Sequence, residues 1–167
     1  MRLGPENGRL TVKTGRTGAA AKAGHNLLIE VTAWEATLEE SSLVLSVDPA
    51  SLRVLEGTGG MQALGDDDRA SIAQTIDDEV LERQPIEFRS TSVQADGGRI
   101  GVEGELTLGG TTRPLAFDLA LADGRLAASV VVKQSDWGIA PYSTLFGTLK
   151  VVDEVEVALD ATLPQSL

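Results

Sequence analysis

Alternation of apolar and polar residues with a period of two runs through most of this chain, and it limits the fold to paired β-strands. The clearest case spans residues 104–119, where apolar side chains alternate with polar ones on both sides of a Gly109-Gly110 pair. Glycine tolerates the positive φ angles of a tight hairpin turn, so the two halves of this segment are predicted to pair as antiparallel strands. Each strand then has one apolar face, which has to be buried.

The same alternation predicts about eight strands in all. Short connections at 95–98, 109–110 and 122–124 are rich in glycine and suit hairpins between sequential neighbours. An antiparallel meander of this length closes into a barrel or splits into a sandwich, and both are all-β. Outside the hairpin, the residues predicted to share strand faces are Leu10, Val12 and Thr14; Leu27, Ile29, Val31 and Ala33; Leu43, Leu45 and Val47; Ile86, Phe88 and Ser90; Ile100, Val102 and Leu106; Leu126, Ala128, Val130 and Val132; and Val151, Val155, Val157, Leu159 and Leu163.

One segment, residues 66–83, follows a helical period instead. Its apolar residues recur every four positions between Ile72 and Val80 and form a single narrow stripe. The three aspartates at 66–68 are predicted to cap the helix and to interact favourably with its dipole, and Gln84-Pro85 is predicted to end it. The sequence therefore predicts one α-helix within an all-β chain.

The charge balance argues against nucleic acid as a partner. The 167 residues contain 14 lysines and arginines against 25 aspartates and glutamates, so this acidic protein carries a formal charge of -11. Such a surface repels phosphate backbones and anionic bilayers. The chain has no cysteine, which excludes disulfides, thiolate metal sites and cysteine nucleophiles.

Length and hydropathy predict a single domain over residues 1–167 that functions in the cytoplasm. A chain of this size can bury about 70% of its unfolded surface around one core. The first 15 residues lack a basic segment followed by an unbroken apolar run, and nothing approaches the roughly 18 apolar residues of a membrane span. We expect neither a leader nor stable membrane insertion.

Few residues offer catalytic or metal chemistry. His25 is the only histidine, and no Gly-x-Ser-x-Gly motif accompanies it. A lone histidine at the start of an apolar strand is more often structural than catalytic. The aspartates at 66–68 and 77–78 lack the alternating spacing of a calcium-binding loop. We therefore predict no catalytic residue, no metal site and no cofactor.

Several motifs follow one another along the chain: Gly24-His25, Val47 to Leu52, Pro85 to Thr91, Gly104 to Leu108 with Gly110, Thr112, Arg113 and Pro114, Ser135 to Ile139, and Asp153 to Val157. This series covers nearly the whole chain and resembles the YceI family of small lipocalin-like barrels. Trp137 stands where phenylalanine is more usual in that family, and Gly109 replaces a common histidine. The resemblance implies a lipocalin-like antiparallel barrel that holds an isoprenoid or another lipid chain inside.

The predicted interior suits such a ligand. An eight-stranded barrel is just wide enough to be filled by side chains or to enclose one slim molecule. The chain has only six aromatic residues, so small aliphatic side chains dominate the interior, and they either pack solid or leave a tunnel for an isoprenoid or fatty-acyl-like chain. The residues expected to line the site are Leu10, Val12, Ile29, Val31, Leu45, Phe88, Leu106, Phe117, Leu119, Val130, Val132 and Leu159.

Two other functions stay open, and one of them depends on polar residues near the cavity. His25 and Arg113 are predicted head-group contacts, although Arg113 next to Pro114 also suits a surface salt bridge. Asp136 suits a turn cap better than a proton carrier. The leading prediction is non-catalytic sequestration or carriage of a lipid. The alternatives are a fully packed barrel that acts in stress response or interaction, and an isomerase or acid-base catalyst built on His25 and Asp136. Homodimer formation is left open.

Overall fold

A computed structural model describes residues 1–17, 26–58, 65–140, 143–144 and 149–163. These residues form strands around one helical segment. In chain order the strands are β1 (Arg2–Leu3), β2 (Gly8–Thr14), β3 (Arg16–Thr17), β4 (Asn26–Val31), β5 (Trp34–Leu38), β6 (Leu43–Val47), β7 (Leu52–Thr58), β8 (Ile86–Asp96), β9 (Arg99–Leu108), β10 (Thr111–Ala122), β11 (Arg125–Lys133), β12 (Ser143–Thr144), β13 (Leu149–Val151) and β14 (Glu154–Thr162).

Eleven of these strands form one antiparallel sheet in the order β1-β5-β6-β8-β9-β10-β11-β14-β2-β4-β7. The strands β8 to β11 follow one another as hairpins, as the turn residues predict. Every strand of this sheet contributes side chains to the wall of a single cavity, so the sheet curls into a half-barrel. A small second sheet pairs β12, β13 and β3.

The prediction of about eight strands is wrong, because short strands carry too few residues to show a period. β1 has only two residues, and the predicted strand over 27–33 ends at Val31. The backbone turns there. The amide of Thr32 donates to the carbonyl oxygen of Ser51 at 2.9 Å, and the amide of Asp48 donates to the carbonyl oxygen of Ala33 at 3.1 Å. The turn shifts the inward phase by one residue, so Ala33 is exposed and the next residue, Trp34, is buried.

The helical segment is confirmed, with different ends. The α-helix α1 spans Asp66–Thr75, and a single π-helical turn continues it over Ile76–Val80. Gly65 is the N-cap, and its amide donates to Oδ2 of Asp68 at 3.1 Å, so the aspartates lie in the first turn instead of at the cap. The helix ends before residue 83, since Glu82 and Arg83 take left-handed φ angles of 53° and 57°.

Gly104, in the middle of the segment that opened the sequence analysis, allows two strands to approach closely. A Cβ atom at this position would lie 2.6 Å from Cζ of Phe88 and 2.4 Å from the carbonyl oxygen of Arg89. Both distances are shorter than real Cβ contacts, so only glycine lets β9 pack against the Phe88 ring. Phe88 in turn stacks at 5.2 Å, between ring centroids, on Phe117 of the next strand but one.

Trp137 anchors the segment that follows β11. Residues Gln134–Trp137 form a 3-10 turn, and Gly138 ends it with a φ of 73°. The indole Nε1 of Trp137 donates to the carbonyl oxygen of Leu106 at 2.8 Å, and the ring is 3% exposed. Phenylalanine lacks this donor, so Trp137 adds a buried hydrogen bond between the turn and β9.

Candidate ligand-binding cavity

The curled sheet and the helical segment enclose a cavity of about 530 Å³. The inward residues of the strands form its walls, because side chains alternate between the two faces of a strand. Ile72, Ile76 and Val80 of the helical segment complete the wall across one end. The interior of the barrel is therefore not packed solid.

All twelve residues predicted to line the interior lie in the wall of this cavity: Leu10, Val12, Ile29, Val31, Leu45, Phe88, Leu106, Phe117, Leu119, Val130, Val132 and Leu159. They come from eight neighbouring strands, which the sheet order brings around one space. Sequence alternation places them together because one residue in two along each strand faces inward. Their contact with a ligand stays a prediction.

Several wall residues were missed at the sequence level. Alternation continued from Ile29 would put Trp34 on the opposite face, but the turn at 32–33 brings it to the inner face of β5. Leu27, Val155 and Val157 continue the inward phase of strands already recognised, so the same alternation could have found them. The helical stripe from Ile72 to Val80 was recognised as the apolar face of a helix, and the structure places it in the cavity wall.

No charged residue belongs to the described cavity wall. Its polar side chains are Thr14, Gln134, Ser71 and Thr75, together with the indole of Trp34. Gln134 is 8% exposed and donates from Nε2 to the carbonyl oxygen of Val152 at 3.3 Å. The indole Nε1 of Trp34 is buried without a hydrogen-bond partner among the described residues. This wall offers hydrogen bonds at a few points and no charge.

The polar wall residues gather at the end of the barrel covered by α1. Thr14 is the last residue of β2, Gln134 follows the last residue of β11, and Ser71 and Thr75 lie one turn apart on α1. At this end Thr14, Thr75 and Leu108 are partly buried and Ser71 is exposed, whereas Gln134 is buried. The end beside α1 therefore adds polar side chains to an apolar wall and is less tightly closed.

The opposite end of the cavity is apolar and sealed. Leu3, Leu119 and Leu126 are 1%, 2% and 1% exposed, and they belong to the main buried core cluster. Leu126 pairs with Ala161 of β14 in the sheet, and Ala161 is 1% exposed as well. These side chains therefore have almost no surface exposed to solvent.

Neither of the two predicted head-group contacts is found in the described cavity wall. His25 lies outside the described residues. Arg113 pairs with Leu106 across the β9–β10 hairpin and so lies on the inward face, but its side chain is exposed and it is not part of the cavity wall. Arg113 makes no ion pair with any residue that the structure describes, so the salt bridge considered for it is not formed there.

Asp136 is exposed in the 3-10 turn and does not line the cavity. The capping role predicted for it belongs to Asp153, whose Oδ1 accepts from the amide of Ser135 at 2.8 Å. The hydroxyl and amide of Ser135 lower the pKa of Asp153 below its usual range. Arg83 likewise lowers the pKa of Asp78 by donating from Nε to Oδ1 at 2.7 Å. Both carboxylates lie outside the cavity wall, and local hydrogen bonds account for their pKa values.

Among the described residues, no three histidine, cysteine, aspartate or glutamate side chains converge in the way a metal ion requires. In the helical segment the aspartates at 66–68 are exposed, Asp78 pairs with Arg83, and Oδ1 of Asp77 is buried without a hydrogen-bond partner among the described residues. No described helix is long and apolar enough to cross a bilayer.

Comparison with known proteins agrees with this architecture. The chain is similar in structure to Burkholderia cenocepacia BcnA, with a TM-score of 0.65 and 14% identity over 94% of this chain and 96% of that chain. It is similar to the Campylobacter jejuni YceI protein, with a TM-score of 0.58 and 11% identity over 83% of this chain and 85% of that chain. No curated protein sequence matches it. The YceI-like domain matches residues 5–163, which confirms the resemblance seen in the motifs, and the chain therefore belongs to the YceI-like domain family.

Proposed function

We propose that this protein binds one long apolar molecule, an isoprenoid or fatty-acyl-like chain, in its barrel and sequesters or carries it without chemical change. The observation that carries this proposal is the cavity of about 530 Å³, whose described wall residues carry no charge. Ligand sites for small molecules usually measure about 300–1,000 Å³ and are mostly apolar.

The energy of an empty cavity supports occupation. Empty space against an apolar wall forfeits packing contacts, at a cost of about 24 cal/mol for each Å³ of residual void. Burial of an alkyl chain restores the lost contacts and contributes about 0.8 kcal/mol for each CH₂ group. An apolar ligand therefore stabilises the fold and needs few specific polar contacts.

The volume also limits the length of the ligand. A cavity of about 150 Å³ holds one benzene molecule, which is about 25 Å³ for each carbon atom. On this scale the cavity of about 530 Å³ holds about 21 carbon atoms. We expect affinity to rise with chain length up to about twenty carbons and then to level off, because additional carbons stay outside.

Uptake requires an opening, and the helical segment is the weakest part of the wall. None of the side chains from Asp66 to Val80 is fully buried, whereas the strands opposite carry fully buried leucines. Segments with few buried contacts open locally at low free energy. The ligand would enter beneath α1 and leave by the same route.

The wall chemistry favours binding over the alternative functions. A packed barrel would leave no such volume, and an acid-base catalyst needs a titratable group beside its substrate. The described wall supplies Thr, Ser and Gln side chains and no carboxylate, imidazole or amine. The cytoplasmic location and the non-catalytic role are parts of this proposal.

Uptake by the delipidated protein tests the proposed function. The protein would be incubated with geranylgeraniol, a linear isoprenoid alcohol of twenty carbons, and separated by gel filtration. Lipid extracted from the protein peak would be quantified by mass spectrometry. We expect one molecule for each chain. No retained lipid at any concentration used would contradict the proposal.

A further inference from the structure

Assuming the proposed function, the two ends of the cavity assign an orientation and a class of head group to the ligand. We propose that the apolar tail lies toward Leu119 and Leu126 and that an uncharged hydrogen-bonding head, such as an alcohol, ester or ketone, lies beneath α1. We propose further that the site rejects ionised head groups, including carboxylates and phosphates.

The orientation follows from where the polar wall atoms lie. Ser71 and Thr75 are placed one turn apart on the cavity side of α1, and Gln134 and Thr14 come from the adjoining strand ends. The far end contains only apolar side chains that are almost completely buried. A polar head placed there would lose its hydrogen bonds to water without replacement, whereas the end beside α1 supplies partners.

The discrimination against charge follows from the same wall. An ionised group is buried in a protein only when it is paired with an opposite charge or with several strong donors. The described wall contains no lysine, arginine or histidine that could pair with an anion. A carboxylate would have to remain in water, which would pull several carbons of its chain out of the cavity.

The surface around α1 opposes anions as well. Residues 66–83 contain seven acidic and two basic side chains, and the acidic side chains at 66–68 are exposed. At physiological salt their field extends for about 8 Å, enough to act on a head group at the mouth. Anionic lipids therefore meet a repulsive surface before they meet the cavity.

Among the described residues, Arg113 favours an anionic head. It lies on the inward face of β10, three residues after the turn glycine, and its side chain is exposed. Exposed charges contribute little free energy to an ion pair, typically about 0–1 kcal/mol. The desolvation of an ionised head is larger than this, so we expect Arg113 not to reverse the preference.

The test compares three ligands that share one chain: geranylgeraniol, geranylgeranoic acid and its methyl ester. Each would be titrated near neutral pH into delipidated protein, and bound lipid would be measured after gel filtration. We expect the alcohol and the ester to bind at least about 100-fold more tightly than the acid. The ester is the matched control, because it has the shape of the acid without the charge.

Two variants locate the head group. The double variant Ser71→Ala with Thr75→Val should weaken binding of the alcohol about 3- to 10-fold, the range of one or two hydrogen bonds. Its affinity for the corresponding C20 hydrocarbon should not change. Thr11→Val, outside the cavity wall on the same barrel, is the control and should change neither ligand. Equal loss for alcohol and hydrocarbon would contradict the proposed orientation.

The outcomes separate this inference from the function on which it rests. If none of the three ligands is retained, both the proposed function and the inference are wrong. If the acid binds as tightly as the ester, the function stands and the inference is wrong, and loss of acid binding in Arg113→Gln would assign the head group to that arginine. If the ester and alcohol bind and the acid does not, the inference holds.

Discussion

Filling the cavity with one larger side chain should abolish ligand binding without unfolding the protein. Val130 is suited to this because it lies in the wall near the middle of β11, paired with Val157 of β14. Val130→Trp adds about seven heavy atoms, which occupy about 175 Å³ at about 25 Å³ for each atom. This is about a third of the cavity volume of about 530 Å³.

The loss of affinity can be estimated from the carbons displaced. Exclusion of about seven CH₂ groups, each worth about 0.8 kcal/mol, weakens binding by about 5.6 kcal/mol, or about 10⁴-fold. This estimate applies when the displaced carbons project past α1 into water. A ligand that bends to fit the remaining space loses less binding free energy. We expect at least about a 100-fold loss for geranylgeraniol.

The free protein should tolerate the change. Occupying about 175 Å³ of empty space recovers about 4 kcal/mol, whereas imperfect fit of a larger side chain usually costs about 1–3 kcal/mol. The urea midpoint of the ligand-free variant should therefore not fall below that of the parent. The matched control is Val131→Trp, since Val131 is on the opposite face of the same strand and 56% exposed.

Lipid titration of the two variants and the parent, with urea unfolding of each, tests this reasoning. Binding by Val130→Trp at the parental affinity would show that the cavity is not the site. An equal loss of lipid affinity in Val131→Trp would show that the effect comes from disturbing the strand and not from filling the cavity.

Four further changes test the account of the fold. Leu126→Ala, at the sealed end where Leu126 is 1% exposed, should lower the free energy of unfolding by about 2–5 kcal/mol in urea titrations, and a loss below 1 kcal/mol would contradict the packing described. Trp137→Phe removes the donor to the carbonyl oxygen of Leu106 and should cost about 1–3 kcal/mol, while Trp34→Phe loses no hydrogen bond among the described residues and should cost less; the reverse order would refute the assignment. Gly104→Ala should destabilise the protein more than Gly101→Ala does, because a Cβ at 104 clashes with the Phe88 ring and one at 101 meets nothing closer than 3.7 Å; equal thermal midpoints would contradict this. Asp153 has a lowered pKa in the folded state, so its contribution to stability is complete above its ordinary pKa of 3.8 and disappears as the pH falls through the lower folded value; Asp153→Asn should therefore flatten the loss of stability in acid, and an unchanged pH profile would contradict the hydrogen bonds to Ser135.

Much of the fold follows from periodicity alone. The hairpins between β8 and β11 and the single helical segment are visible in the sequence, because long strands and a four-residue apolar spacing give strong local signals. The strand count is not, since β1 has two residues and β5 begins with a change of phase after Thr32. Such a corner depends on backbone hydrogen bonds to Ser51, which is distant in the sequence.

Alternation also predicted much of the cavity wall, but the prediction missed the residues that the helix contributes. Residues such as Val130 and Leu159 follow the inward phase of their strands, so alternation identifies them. Ser71 and Thr75 were not identified, because a helix that covers the end of a barrel has the same apolar stripe as one that packs against its side. The separation of polar and apolar ends depends on strand direction and sheet order, which only the assembled fold provides.

The central claim is that one apolar molecule of about twenty carbons occupies the barrel, and native mass spectrometry tests it most directly. The protein would be purified from its own source without detergent, and its mass would be compared before and after extraction with organic solvent. We expect one bound molecule for each chain, absent from Val130→Trp prepared in the same way. A parent protein that carries no such molecule, and that gains none when geranylgeraniol is added, would contradict the claim.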